Sequence, residues 1–151
     1  MRMKNILLAV CGLSPQVITE TLFAIHQSGR KVDAIHIITT REGKERIFAD
    51  LLAEKSGHYY RYLAEYGSGP YEISFDASTI HTVSRHGGRE ISDITDERDS
   101  EALLRKCLEL TFDLTRNPET AVFFSVAGGR KTMSACLTLA AQMYGLPQDR
   151  I

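Results

Sequence analysis

Short, solidly apolar runs alternate with longer amphipathic segments along this chain, and that alternation limits the folds open to it more than any other property. "KNILLAV" (4–10), "VDAIHIITT" (32–40) and "AVFFSV" (121–126) are strand-length runs that are apolar at successive positions rather than at every second one. After the first run, "QVITETLFAIHQSG" sets Val17, Thr21, Leu22 and Ile25 at helical spacing, and after the second, "EGKERIFADLLAEKSG" does so with Ile47, Leu51 and Leu52. Strands that are apolar on both sides must be covered on both sides. Parallel strands joined by crossover helices meet that need, so the expected class is α/β: a mostly parallel sheet with helices on both faces.

Local signals refine the outline. Ser14 suits the N-cap and Pro15 the first position of the first helix. "YYRYLAEYG" predicts a further helical turn or two, "YEISF" a strand, and "STIHTVSRHGGREISDI" a hairpin turning at Gly87-Gly88. "TDERDSEALLRKCLELTFDLTRN" predicts a long helix whose first turns are acidic, as the helix dipole prefers. "AVFFSV", the turn at Gly128-Gly129 and "MSACLTLAAQMYG" then give strand, turn and helix. A further strand could begin in "GLPQDRI", so residues 1–151 read as a single domain, either minimal or abridged before a final strand, with no room for an effector nuclease domain.

Composition closes off several function classes. With 25% charged residues and a net charge of -1, the chain has no global basic field to gather long nucleic acid, so any anion site must be local. Cys11, Cys107 and Cys136 lie far apart without Cys-x-x-Cys spacing, which suggests neither a disulfide framework nor zinc and fits a reducing cytoplasm. "MRMKNILLAVCG" imitates a lipoprotein signal, but its apolar stretch is too short and reads as a first strand; no run approaches the ~18 apolar residues of a membrane span. The histidines are scattered. The acidic run holding Asp93, Asp96, Glu97 and Asp99 reads as a solvated helix start, so neither a metal nor a cofactor is expected.

In open parallel sheets, ligands bind beyond the carboxyl ends of the strands, where neighbouring loops diverge. Three loops qualify: "CGLSPQ", "TTREG" and "AGGRKT". Together they supply Gly12, Ser14, Gln16, Thr39, Thr40, Arg41, Arg130, Lys131 and Thr132, a donor-rich and mostly cationic set. The last loop is the most informative, because a helix start disfavours cations by about 0.3–1 kcal/mol, yet Arg130 and Lys131 stand there. A bound anion would account for them, and phosphate suits helix N-termini. The run is neither a Walker loop nor G-x-G-x-x-G, so ATP hydrolysis and dinucleotide redox chemistry lose their support. Cys11, at a strand end, reads as a small buried residue rather than a nucleophile.

"GLSPQVITETLFAI" together with "SVAGGRKTMSACLTLAA" resembles the two signature regions of CARF domains, the Rossmann-like sensors of type III CRISPR systems. The likeness is nearest to the small CRISPR-associated family that groups with ring nucleases and the sensor halves of Csm-type ribonucleases, and it extends through "HIITT", "ISDITDERDS" and "LELTFDLTRNPE". The resemblance implies binding of cyclic oligoadenylate, with cyclic tetra-adenylate the first candidate, by a homodimer that holds the ring across its two-fold axis. Carried over residue by residue, it places Ser14, Gln16 and Thr19 at the ligand from the first motif, and Gly128, Gly129, Arg130, Lys131 and Thr132 from the second. Thr39 and Thr40 would line adenine or ribose. If the chain is an enzyme, Lys131 and Ser14 would serve a metal-independent ring cleavage; otherwise it is a non-catalytic sensor for a separate effector. A generic mononucleotide-binding protein is the alternative of another class.

Overall fold

A computed structural model describes residues 2–54, 56–67 and 73–151. Strands β1 (Lys4–Val10), β2 (Ala34–Thr39), β3 (Ile80–Thr82) and β4 (Thr120–Ser125) form one sheet in the order β3-β2-β1-β4, with every neighbouring pair parallel. The helices are α1 (Gln16–Gln27), α2 (Arg41–Asp50), α3 (His58–Tyr66), α4 (Glu97–Thr115) and α5 (Lys131–Tyr144). The expected α/β architecture is therefore present, in Rossmann-like form.

The apolar runs explain the layering. Along β1, Leu7 and Ala9 pack into one cluster with Ile18 and Leu22 of α1, Ile47 of α2 and Tyr59 and Tyr62 of α3. Leu8 and Val10, pointing the other way, pack with Leu103 and Cys107 of α4 and with Met133 and Leu137 of α5. Each fully buried Leu or Ile contributes about 1.5–3 kcal/mol relative to exposure, so both faces of the sheet are needed to hold it.

Strand order positions the site. From central β1 the chain moves through α1 to β2 and onward to β3, then returns through α4 on the opposite face to add β4 on the other side of β1. The loops leaving β1 and β4 consequently part, one towards each face. That divergence is the topological switch point where open α/β sheets take ligands.

Several local expectations are corrected. Helix α1 starts at Gln16 with Pro15 as its cap residue and no side-chain cap bond, so Ser14 is not the N-cap; the carbonyls of Ser14 and Pro15 instead receive the amides of Val17 and Ile18. The hairpin is only partly formed. Gly87 and Gly88 do turn, at φ 88° and 79°, and Ser84 bridges Glu90 antiparallel, but Ile80–Thr82 has already joined the main sheet parallel to β2. Ile80 and Val83 are buried by that choice, which a free hairpin would leave half wet. Of "YEISF", Tyr71 and Glu72 lie outside the described residues, and the other three residues make a single parallel bridge, from Ser74 to Ala34. The acidic run is not simply solvated, because Asp99 is 2% exposed and accepts from Arg85 and from the amide and hydroxyl of Thr95.

The segment after α5 runs along the outer side of β4, where a further strand was expected to begin. Arg150 bridges Phe123 in parallel, its carbonyl accepting from the Phe124 amide and its own amide donating to Val122. The Asp149 carboxylate accepts from the Val122 and Leu146 amides at 2.8 and 2.7 Å. Among the described residues no helix is long and apolar enough to cross a membrane.

Candidate functional site

At the switch point the loops after β1 and β4 touch through their backbones. A Cβ built on Gly12 would stand 3.1 Å from the Gly129 Cα, and one on Gly128 would stand 2.7 Å from the Val10 carbonyl oxygen and 3.1 Å from a Val17 methyl. Gly129 lies at φ +77°, a left-handed conformation that side chains resist. The turn is pinned from below by Ser134, whose hydroxyl donates to the Val126 carbonyl at 2.7 Å, and by buried Met133 under Gly129.

This turn leaves the start of α5 open. Arg130 is extended, at φ -72° and ψ 158°, with no side-chain cap bond. Its carbonyl receives Met133 and Ser134 at 2.9 and 3.3 Å, whereas among the described residues the amides of Gly129, Arg130, Lys131 and Thr132 donate to no partner. Four consecutive donors and the positive end of a helix thus meet at one place, which favours an oxygen-rich anion.

Three adjoining clefts run across this end of the sheet. The first, about 410 Å³, is lined by Gly12, Ser14, Thr40, Asp93, Gly128 and Gly129, among others, with Leu13, Val17 and Met133 as its apolar wall. The second, about 570 Å³, holds Lys131 and Thr132, and it shares Gly129 and Arg130 with the first. The third, about 320 Å³, is reached past Asp93 and contains Arg41, Arg85 and Arg89.

The two cations of the opening turn behave differently. Arg130 is held by Asp93: its Nε donates to Oδ1 at 2.9 Å and its Nη2 donates to Oδ2. The Arg130 guanidinium draws the Asp93 carboxyl below the usual carboxylate range, against partial burial that pushes it up, and the Ile94 amide at 2.8 Å helps. Lys131, exposed at the first helical position, makes no ion pair among the described residues.

The remaining sequence-derived residues are distributed unevenly. Ser14 is exposed at the first cleft, and its hydroxyl makes no hydrogen bond among the described residues. Thr40 is there too, but its side chain caps α2 by accepting from the Gly43 amide at 3.2 Å. Thr39 is fully buried and donates to the Cys11 carbonyl at 2.7 Å, which ties the loops after β1 and β2 together. Gln16 lies at the start of α1, and Thr19 lines a separate groove between α1 and α3 with Phe23, Tyr62 and Tyr66. Burial pushes the Cys11 thiol up to about 12, so it is no nucleophile at neutral pH. The residue that the sequence failed to place here is Asp93. Its signals were membership of an acidic run and of the "ISDITDERDS" stretch, neither of which assigns it a role, and its partner lies 37 residues away.

With this geometry in place, the family profile of CRISPR-associated protein NE0113 matches residues 14–151. The chain belongs to that CRISPR-associated family. The match spans the Ser14 loop, the Asp93 segment and the turn from Gly128 to Thr132, so every wall of the switch-point cleft except Gly12 and Leu13 falls within it. No curated protein matches the chain.

Proposed function

We propose that this chain is a single CARF-type domain of type III CRISPR signalling that binds cyclic oligoadenylate at the switch point and opens the ring slowly without a metal. The observation that carries the proposal is the open start of α5, where four amides and Lys131, none of them paired among the described residues, stand beside the Ser14 loop. Family membership supports the CRISPR context. The ligand set is Gly12, Ser14, Gln16, Thr40, Arg41 and the run from Gly128 to Thr132, with Thr39 supporting it from below and Thr19 set apart in its own groove, and a second copy of the chain completes the enclosure of an even-numbered ring.

In the reaction, a 2′-oxygen of the ring attacks the adjacent phosphorus and loses its proton, while the bond to the 5′-oxygen breaks and that oxygen takes up a proton. The product is a linear oligoadenylate ending in a 2′,3′-cyclic phosphate. Nucleophile and electrophile lie on one backbone, so much of the work is positioning. The Ser14 hydroxyl, free of capping duty, orients the 2′-hydroxyl. Lys131 and the amides around Gly129 hold the phosphoryl oxygens as their charge grows.

One observation favours a second reading, a sensor that binds without cutting: among the described residues no histidine lines the first two clefts, and Asp93, already engaged by Arg130, is a weak base. Incubating the protein with labelled cyclic tetra- and hexa-adenylate, with and without EDTA, separates the readings. Linear products unaffected by EDTA and lost in Lys131→Ala are expected; rings bound and returned intact indicate the sensor. Binding of ATP or AMP but of neither ring overturns the proposal in favour of a mononucleotide site.

A further inference from the structure

Resting on the phosphate-binding reading above, we infer that Ser134 is a positioning residue: its hydroxyl turns two backbone carbonyls away from the first cleft and so turns the amides of Ala127 and Gly129 into it. A helical serine or threonine ordinarily bonds back to the carbonyl one turn earlier, as Thr138 does to Ser134 at 2.8 Å. Ser134 reaches further. Its Oγ donates to the Val126 carbonyl at 2.7 Å, eight residues back and beyond the start of α5, and the Gly128 carbonyl points at the same Oγ from 3.5 Å. Among the described residues no other donor reaches either carbonyl.

Peptide geometry converts this into a consequence for the cleft. In a trans peptide the carbonyl of one residue and the amide of the next point in opposite directions, and the described residues hold no cis bond. With the Val126 and Gly128 carbonyls drawn under the turn toward Ser134, the amides of Ala127 and Gly129 point out of the other side. That side is the first cleft, which Ala127 and Gly129 both line. Neither amide donates to a partner among the described residues. Ala127 thus joins the donor set, and nothing in its methyl side chain marks it. Two amides fixed from behind stabilise charge on a phosphoryl oxygen without having to reorganise when it arrives. Without the hydroxyl both peptides are free to turn over, most easily at Gly128-Gly129, and a peptide so turned presents a carbonyl oxygen to the phosphate.

The experiment follows the backbone amide resonances of isotopically labelled wild type, Ser134→Ala and Thr138→Ala as cyclic tetra-adenylate, or linear tetra-adenylate with hydroxyl ends, is added, with affinities from calorimetry. Thr138→Ala is the control, because the hydroxyl bond it removes lies wholly within α5. In wild type and control the Ala127 and Gly129 amide resonances are expected to move downfield as the ring binds. In Ser134→Ala both movements should shrink, and affinity for the ring should fall about tenfold, as for the loss of a hydrogen bond to a charged group. Equal affinity of Ser134→Ala and the control for the ring overturns the inference, as does ring binding by wild type that leaves both resonances unmoved; either result leaves the cyclic-ligand reading standing. The expected pattern with the linear probe alone upholds the inference while sinking the cyclic-ligand reading. No response of wild type to either probe sinks both.

Discussion

Two strand-to-helix turns flank β1, one from β2 into α2 and one from β4 into α5, and their helix starts are treated in opposite ways. At α2 every early amide is used: Arg41 donates to the Ile91 carbonyl at 2.8 Å, Glu42 to the Ser92 carbonyl at 3.4 Å, and Gly43 to the Thr40 hydroxyl oxygen. The segment between β3 and α4 lies over that end like a plug. At α5 the corresponding donors face a cleft and make no hydrogen bond among the described residues, and the same segment bonds to that end through the Asp93 side chain on Arg130 rather than through backbone carbonyls. Two turns of similar composition therefore differ in what the rest of the chain lays across them. An open helix start is left open by tertiary structure, and only the open one can recruit an outside anion.

The largest effect should come from removing the free cation of the open turn. Lys131→Ala should weaken ring binding by roughly 1.5–3 kcal/mol, about 10- to 150-fold, because a charge-assisted hydrogen bond is lost; calorimetry with cyclic tetra-adenylate measures it. Damage to the closed turn should instead appear in stability. A Cβ at Gly43 would meet the Thr39 Oγ1 at 1.9 Å, so Gly43→Ala is expected to cost about 1–3 kcal/mol in a denaturant melt. Thr40→Ala removes the cap of α2 and should cost about 1 kcal/mol by the same measurement. The smallest effect belongs again to Lys131→Ala, now without ligand. Relief of a like-charge contact at a helix start should leave the melting temperature unchanged or raise it, by no more than about 0.3–1 kcal/mol. A marked loss of unliganded stability would make Lys131 a structural residue and erase the contrast between the turns.

Local chemistry carried most of the outline into the sequence. The apolar runs announced β1, β2 and β4 because strands covered on both faces need no alternation, and Gly128-Gly129 announced the turn because only glycine takes φ +77° there cheaply. What could not be read were interactions between distant segments. Nothing near Ser14 says that Pro15 would take the cap position, and nothing near Asp93 says that Arg130 would close on it from 37 residues away. The shutting of α2 was hidden for the same reason, since the Ile91 and Ser92 carbonyls that do it are backbone atoms of unremarkable residues. Thr39 and Thr40 were visible as candidates, but packing assigned both hydroxyls to structural bonds.

The contacts of Asp149 and Arg150 along β4 bear on how copies of this chain can meet. Sheets extend from molecule to molecule when an edge strand offers a row of unsatisfied amides and carbonyls. On one side that row is occupied, with the Val122 and Phe124 amides and the Val122 carbonyl all taken by the Asp149–Arg150 segment. On the other, the edge strand Ile80–Thr82 is only three residues long. Ribbon-like growth is disfavoured at both ends, which leaves the helix faces and the loops around the cleft as the surfaces for any self-association.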